Sequence, residues 1–251
     1  IGGVPLPVFP GAEGFGVTTP AGRGGRILRV TNLNDSGPGS LRAAIDSAGP
    51  RIVIFEVSGT IALSSKLDLD DPYITIAGQT APSPGITLKA SNSFFGDGDG
   101  LIAIKTHDVL IQHLRLRTGD LGPSGSQPDA LSIGQSNADV HNVVIDHCSF
   151  SWAVDENLST WYGSHDITIS NAIVSEALQN SDHPEGPHSK GFLMGDNTKR
   201  VALLRSLFAH NFDRNPFIKG GATAVVANNV FYNIGQPFGA RTGSSGSPWP
   251  L

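Results

Sequence analysis

Val143–Ser151 (VVIDHCSFS) recurs without gaps as Val109–Arg117 (VLIQHLRLR), Ile167–Ser175 (ITISNAIVS), Val201–Ala209 (VALLRSLFA) and Ala224–Tyr232 (AVVANNVFY). In chain order the five segments start 34, 24, 34 and 23 residues apart. The third position is aliphatic in every copy (Ile111, Ile145, Ile169, Leu203, Val226) and the eighth is apolar (Leu116, Phe150, Val174, Phe208, Phe231). The fifth is always polar: His113, His147, Asn171, Arg205 and Asn228. A two-residue period that breaks at a polar residue, once per coil, describes a right-handed parallel β-helix, a single-stranded solenoid. Each coil buries its inward side chains only by stacking on the next. The fifth residue is expected at a bend, where it bonds backbone groups along the stack. Unequal offsets place insertions in loops between strands, and in solenoids such loops often build the binding face.

Composition agrees. The 251 residues include 31 Gly and 17 Pro, which disfavour helix interiors and speak against a bundle. An apolar share of 39% with only 16% charged residues supports a long core and excludes a disordered chain. Net charge is −5, so the chain as a whole is not the basic body of a nucleic-acid binder. Short runs read as strands: Ile52–Val57, Tyr73–Ala77, Ile86–Lys89 and Leu101–Ile104. They are spaced too closely for crossover helices, so the fold class is all-β. One helix is expected near Ser40–Ala48, N-capped by Ser40 and capping the open first coil. A β-sandwich is the rival, but its hairpin signals are scarce; the nearest, Asp97–Gly100, reads as a loop. One β-helix domain over residues 1–251 is the expectation.

Cys148 is the one cysteine, so it forms no internal disulfide and reads as a small buried hydrophobe. No stretch approaches the ~18 apolar residues needed to span a bilayer. Ile1–Pro10 lack the basic start and apolar core of a signal peptide. The chain reads either as a mature form with its leader removed or as one that never had a leader.

Candidate chemistry gathers at loop–strand junctions. Lys190 precedes the apolar run Phe192–Met194, and Arg214 and Lys219 bracket Pro216; both segments adjoin successive coils and are expected to face one groove. Asp129 opens a strand and Asp155-Glu156 precede another, so loop carboxylates on adjacent coils are candidates for a hard cation such as calcium. The competing reading is turn-forming Asp. His183 and His188 lack a Cys or third His at a zinc spacing, which argues against metal binding through them. His113 and His147 read as structural groups. Neither a Gly-x-Ser-x-Gly elbow nor a phosphate-cradling GxxxxGK[ST] run occurs.

At several of these places the sequence resembles the family 1 polysaccharide lyases, the pectate lyases. Val144–Ser151 resembles their WIDHCSFS stretch, and His188–Gly195 their HxKxxLxG segment. Arg214-x-Pro216-x-x-Lys219 is similar to RxPxxR, with Lys in place of the last Arg. Phe9–Gly16, Gly37–Arg42 and Ile74–Thr80 are similar to the family as well, so the resemblance runs in order from about Phe9 to Gly235. It implies a secreted, extracellular, calcium-dependent eliminase acting on polygalacturonate in a β-helix groove, with no nucleic-acid or membrane partner. By motif position Arg214 is the base and Lys190 a ligand of the substrate carboxylate and leaving side. Lys219 and His188 are substrate contacts. Asp129 and Asp155 match the first two calcium ligands, while the third falls on Ser159 in place of Asp. Either Glu156 compensates, or calcium binds only as a bridge with substrate.

Two further readings stand beside this one: a non-catalytic polysaccharide-binding β-helix, and a polygalacturonan hydrolase using Asp155-Glu156. The sequence ends in a loop-like stretch, Gly246–Leu251, where family members continue with further coils. An uncapped end of this kind is expected to pair with another chain, giving an oligomer.

Overall fold

The structure is a computed structural model, and it describes residues 6–236. Among the described residues the chain winds into three parallel sheets of eight, seven and six strands. Each complete turn of chain from Arg51 onward contributes one strand to each sheet, so the molecule is a parallel β-helix.

The sequence repeat is the stacking register. Val109, Val143, Ile167, Val201 and Ala224 are paired in succession across the eight-stranded sheet. The third-position residues Ile111, Ile145, Ile169, Leu203 and Val226 form a column beside them. In the seven-stranded sheet, Leu116, Phe150, Val174, Phe208 and Phe231 stack in the same way. Both columns enter one continuous core.

The polar fifth residue takes a left-handed conformation in every copy, with φ between 49° and 58° at His113, His147, Asn171, Arg205 and Asn228. That turn carries the chain from the eight-stranded to the seven-stranded sheet. Asn and His tolerate the left-handed region better than most side chains. At His113, His147, Asn171 and Arg205 the side chains contact other side chains, not the backbone as expected. The His113 and His147 rings stack with centroids 4.8 Å apart. Asn171 donates to Asp146 at 2.8 Å, and Arg205 donates to Asn171 at 3.3 Å. Asp146 is the hub of this ladder, also accepting from Gln112, His147 and Ser170. Burial opposes its ionisation, but these donors hold its carboxyl below the usual carboxylate range.

The helix forms at Leu41–Ile45, with Ser40 accepting the Ala43 amide at its start. Leu41, Ala44 and Ile45 are buried and close the first coil. The fully buried Arg51 guanidinium donates to the carbonyls of Ile45, Gly49, Asp71 and Pro72, satisfying acceptors at the helix end and the adjoining turns. Cys148 is buried, and burial pushes its thiol up to about 12, as an inert interior residue requires.

Asp97–Gly100, expected as a loop, lies inside the strand Asp97–Ile104. Its neighbour Gln127–Ile133 is long enough to pair with it from Gln127 onward. A Cβ on Gly100 would stand 2.7 Å from Leu131 Cα, so glycine here permits close approach of two backbones. The expected chain-end pairing involves Gly246–Leu251, which lie outside the described residues.

Candidate active site

The site is built on the six-stranded sheet, whose order runs Phe217–Ile218, Lys190–Met194, Glu156–Thr160, Gln127–Ile133, Asp97–Ile104, Leu67–Leu69. Glu156 is in register with Lys190, and Lys190 bridges to Asp213 on the next coil. Asp129 joins the same row, its Oδ1 accepting the Glu156 amide at 3.1 Å. Parallel pairing therefore aligns residues that are far apart in sequence.

Three carboxylates converge here. Ligand oxygens of Asp129, Asp155 and Glu156 lie within 4.8 Å of one another. Asp129 is 0% exposed and accepts the Ser159 hydroxyl on its other oxygen. Burial first, and the neighbouring Asp155 second, raise its carboxyl well above the usual range, against the pull of Ser159 and Arg214. Arg214 supplies the opposing charge. Its guanidinium is ion-paired with Glu156 and lies 3.8 Å from Asp155 Oδ1. Burial nevertheless holds Arg214 below its ordinary value, with Asp155 and Asp129 acting the other way.

Arg214 is held by its backbone as well as its charge. Its φ of 56° is left-handed, a sparsely populated state for a long side chain. The Phe192 amide donates to its carbonyl, and its own amide donates to Asp213. A buried asparagine relay anchors the same loop: Asn157 donates to Asn211, and Asn211 to Asn215.

The other expected residues separate into two places. Lys190 lies beside Glu156 in register, its ammonium 3.9 Å from Asp213. His188 faces Asp155 at 3.5 Å. Lys219 sits at the far end of the strands, 4.6 Å above the Trp161 ring and 3.8 Å from Asp196. His183, Asn157, Asn211 and Asn215 belong to the site's surroundings and carried no motif signal. His183 stacks on His188 with ring centroids 3.4 Å apart, and burial followed by the His188 charge lowers its pKa.

The carboxylate cluster fits a hard divalent cation. Its donors are all oxygen, and Asp155 Oδ1 is buried without a hydrogen-bond partner. Ser159 takes the place of a further carboxylate and donates to Asp129, while Glu156 brings the third carboxylate from the adjacent coil position.

No family model matches the chain. "Probable pectate lyase C" of Aspergillus fumigatus is 40% identical over 240 residues, 96% of this chain and 51% of that protein. Over nearly its whole length the chain is similar to proteins named as probable pectate lyases. "Probable pectate lyase 4" of Arabidopsis thaliana is 28% identical over 88% of this chain and 56% of its own length. Jun a 1, the major allergen from cedar pollen, shares the fold with a TM-score of 0.65, at 24% identity over 92% of this chain and 66% of its own. The chain spans about half the length of the Aspergillus proteins it matches.

Proposed function

We propose that this chain carries the cleavage centre of a secreted, calcium-dependent pectate lyase, which breaks polygalacturonate by β-elimination. The observation that carries the reading is the half-buried Arg214 guanidinium set among Asp129, Asp155 and Glu156, in a chain 40% identical to a probable pectate lyase.

Elimination takes the proton from C5, beside the uronate carboxylate, and expels the C4 oxygen. Arg214 accepts that proton only as the neutral guanidine. Burial favours the neutral form, whereas Asp155 and Asp129, together with the ion pair to Glu156, favour the charged one. The reading therefore requires Glu156 to release Arg214 before the proton moves. In this reading Lys190 holds the uronate carboxylate on which charge develops, supported by its register with Glu156. Lys219 over Trp161 forms a second cationic contact farther along the groove, a point donor where a guanidinium would offer a fork. Calcium bound at Asp129, Asp155 and Glu156 would supply Lewis-acid neutralisation of the substrate carboxylate. No helix among the described residues is long and apolar enough to cross a membrane.

Ultraviolet absorbance during incubation with polygalacturonate tests the reading. The C4–C5 double bond conjugated to the carboxylate should accumulate with calcium present and stop accumulating with chelator. A signal indifferent to chelator would remove calcium from the reading.

A further inference from the structure

Two histidines from the next long loop also reach Asp155. The His183 and His188 side chains are 2% and 4% exposed. His188 Nε2 stands 3.5 Å from Asp155 Oδ1 and 3.8 Å from Glu185 Oε2, and His183 Nε2 stands 3.9 Å from Asp155 Oδ2. These separations are too long for hydrogen bonds. They are close to the spacing of donors around a tetrahedral ion, about 3.3–3.5 Å for metal–ligand bonds near 2.0–2.1 Å. His183 Nε2 and Asp155 Oδ1 are both buried with no hydrogen-bond partner.

We propose that His183, His188 and Asp155 form a site for a borderline divalent transition metal of the zinc or cobalt class, with Glu185 at its rim. Imidazole nitrogens suit such ions, whereas calcium takes oxygen ligands. Asp155 is then shared between two sites of different chemistry. His188 Nδ1 donates to the Gly186 carbonyl at 3.1 Å, which leaves its Nε2 lone pair facing the carboxylate. Orientation of this kind, through the second ring nitrogen, is the usual support of a metal-bound histidine. His183 is prepared differently. Its Nδ1 accepts the Glu185 amide at 3.1 Å, so the ring proton is on Nε2. Metal uptake moves that proton to Nδ1 and turns the Glu185 amide outward. Sequence spacing concealed the site because Asp155 comes from a preceding coil.

A second histidine group competes for such metals: His107, His141 and His165 form a more exposed stack with ring centroids 4.8 and 5.2 Å apart. The experiment therefore uses a His141→Gln background, stripped of metal and saturated with calcium. Titration with Zn²⁺ by calorimetry and with Co²⁺ by visible absorbance should show one equivalent bound through imidazole. Adding His183→Gln or His188→Gln should weaken Zn²⁺ binding about a hundredfold. Calcium affinity should hold in these variants, because the oxygen cluster is untouched. A Co²⁺ spectrum of the His141→Gln chain without intense visible bands would overturn the site without recourse to any further variant. So would Zn²⁺ affinity unchanged by both substitutions in chains whose circular dichroism matches the parent. Both readouts are of binding, so they stand apart from the outcome for elimination.

Discussion

Arg214 and Glu156 form an ion pair at the start of an inner strand of the six-stranded sheet, and the burial of Arg214 works against its charge. Glu156→Gln removes the ion-pair partner of Arg214 and nearly keeps its volume, leaving Asp155 and Asp129 as the carboxylates that favour its charge. The acid limb of the kcat/KM–pH profile on polygalacturonate should move down by about one unit, worth about 1.4 kcal/mol. An unmoved limb in an active variant would contradict Arg214 as the base.

Arg214→Ala leaves three neighbouring carboxylates without their guanidinium. Breaking a buried pair from one side costs about 3 kcal/mol. Urea unfolding should show that loss without calcium and recover much of it with calcium. Equal losses in both conditions would mean that the carboxylates do not hold a cation.

Calcium affinity should rise with pH. Asp129 must lose its proton to act as a ligand, and burial and Asp155 hold that proton on well above the usual range. Between the ordinary aspartate value of about 4 and this raised value, the folded chain binds more protons than the unfolded one. Without calcium, stability contributed by this group therefore falls as pH rises through that window, while calcium binding strengthens. Thermal melts with and without calcium across pH 5–8 (roughly the range in which folded proteins are most stable) check both slopes, and calcium shifts that shrink as pH rises would refute the assignment.

Asp146 acts on the fold and stands outside the site. Its lowered titration means that its contribution is present above the ordinary carboxylate value and lost as pH falls through the folded value. Asp146→Ala should cost about 3 kcal/mol, because four donors lose a charged acceptor. Denaturant unfolding at neutral pH reads this directly, and a loss below about 1 kcal/mol would show the ladder to be incidental.

Lys219 should affect binding more than turnover. Lys219→Ala removes the cation above Trp161 and should raise KM for polygalacturonate about tenfold, with kcat changed little. A matching fall in kcat would place Lys219 at the reacting atoms.

The solenoid was legible because its periodicity is the stacking itself: Ile145 and Phe150 mark columns in their own sequence segments and in every aligned copy. Asp97–Gly100 was misread because glycine signals a turn locally, whereas here it answers the approach of Leu131 from the next coil. Motif order pointed to Arg214, Lys190, Asp129 and Asp155. The Asn157–Asn211 bond spans 54 residues, and the meeting of His183 with Asp155 depends on how a loop folds over a neighbouring coil. Neither leaves a local pattern. The Glu156–Arg214 pair was hidden for the same reason.

Unsaturated product and new reducing ends, measured together on polygalacturonate with calcium for the parent chain and Arg214→Ala, test elimination with Arg214 as base. One double bond should appear per new reducing end in the parent, and both signals should vanish in the variant while calcium binding persists. Reducing ends without the double bond, or elimination that survives in Arg214→Ala, would contradict it.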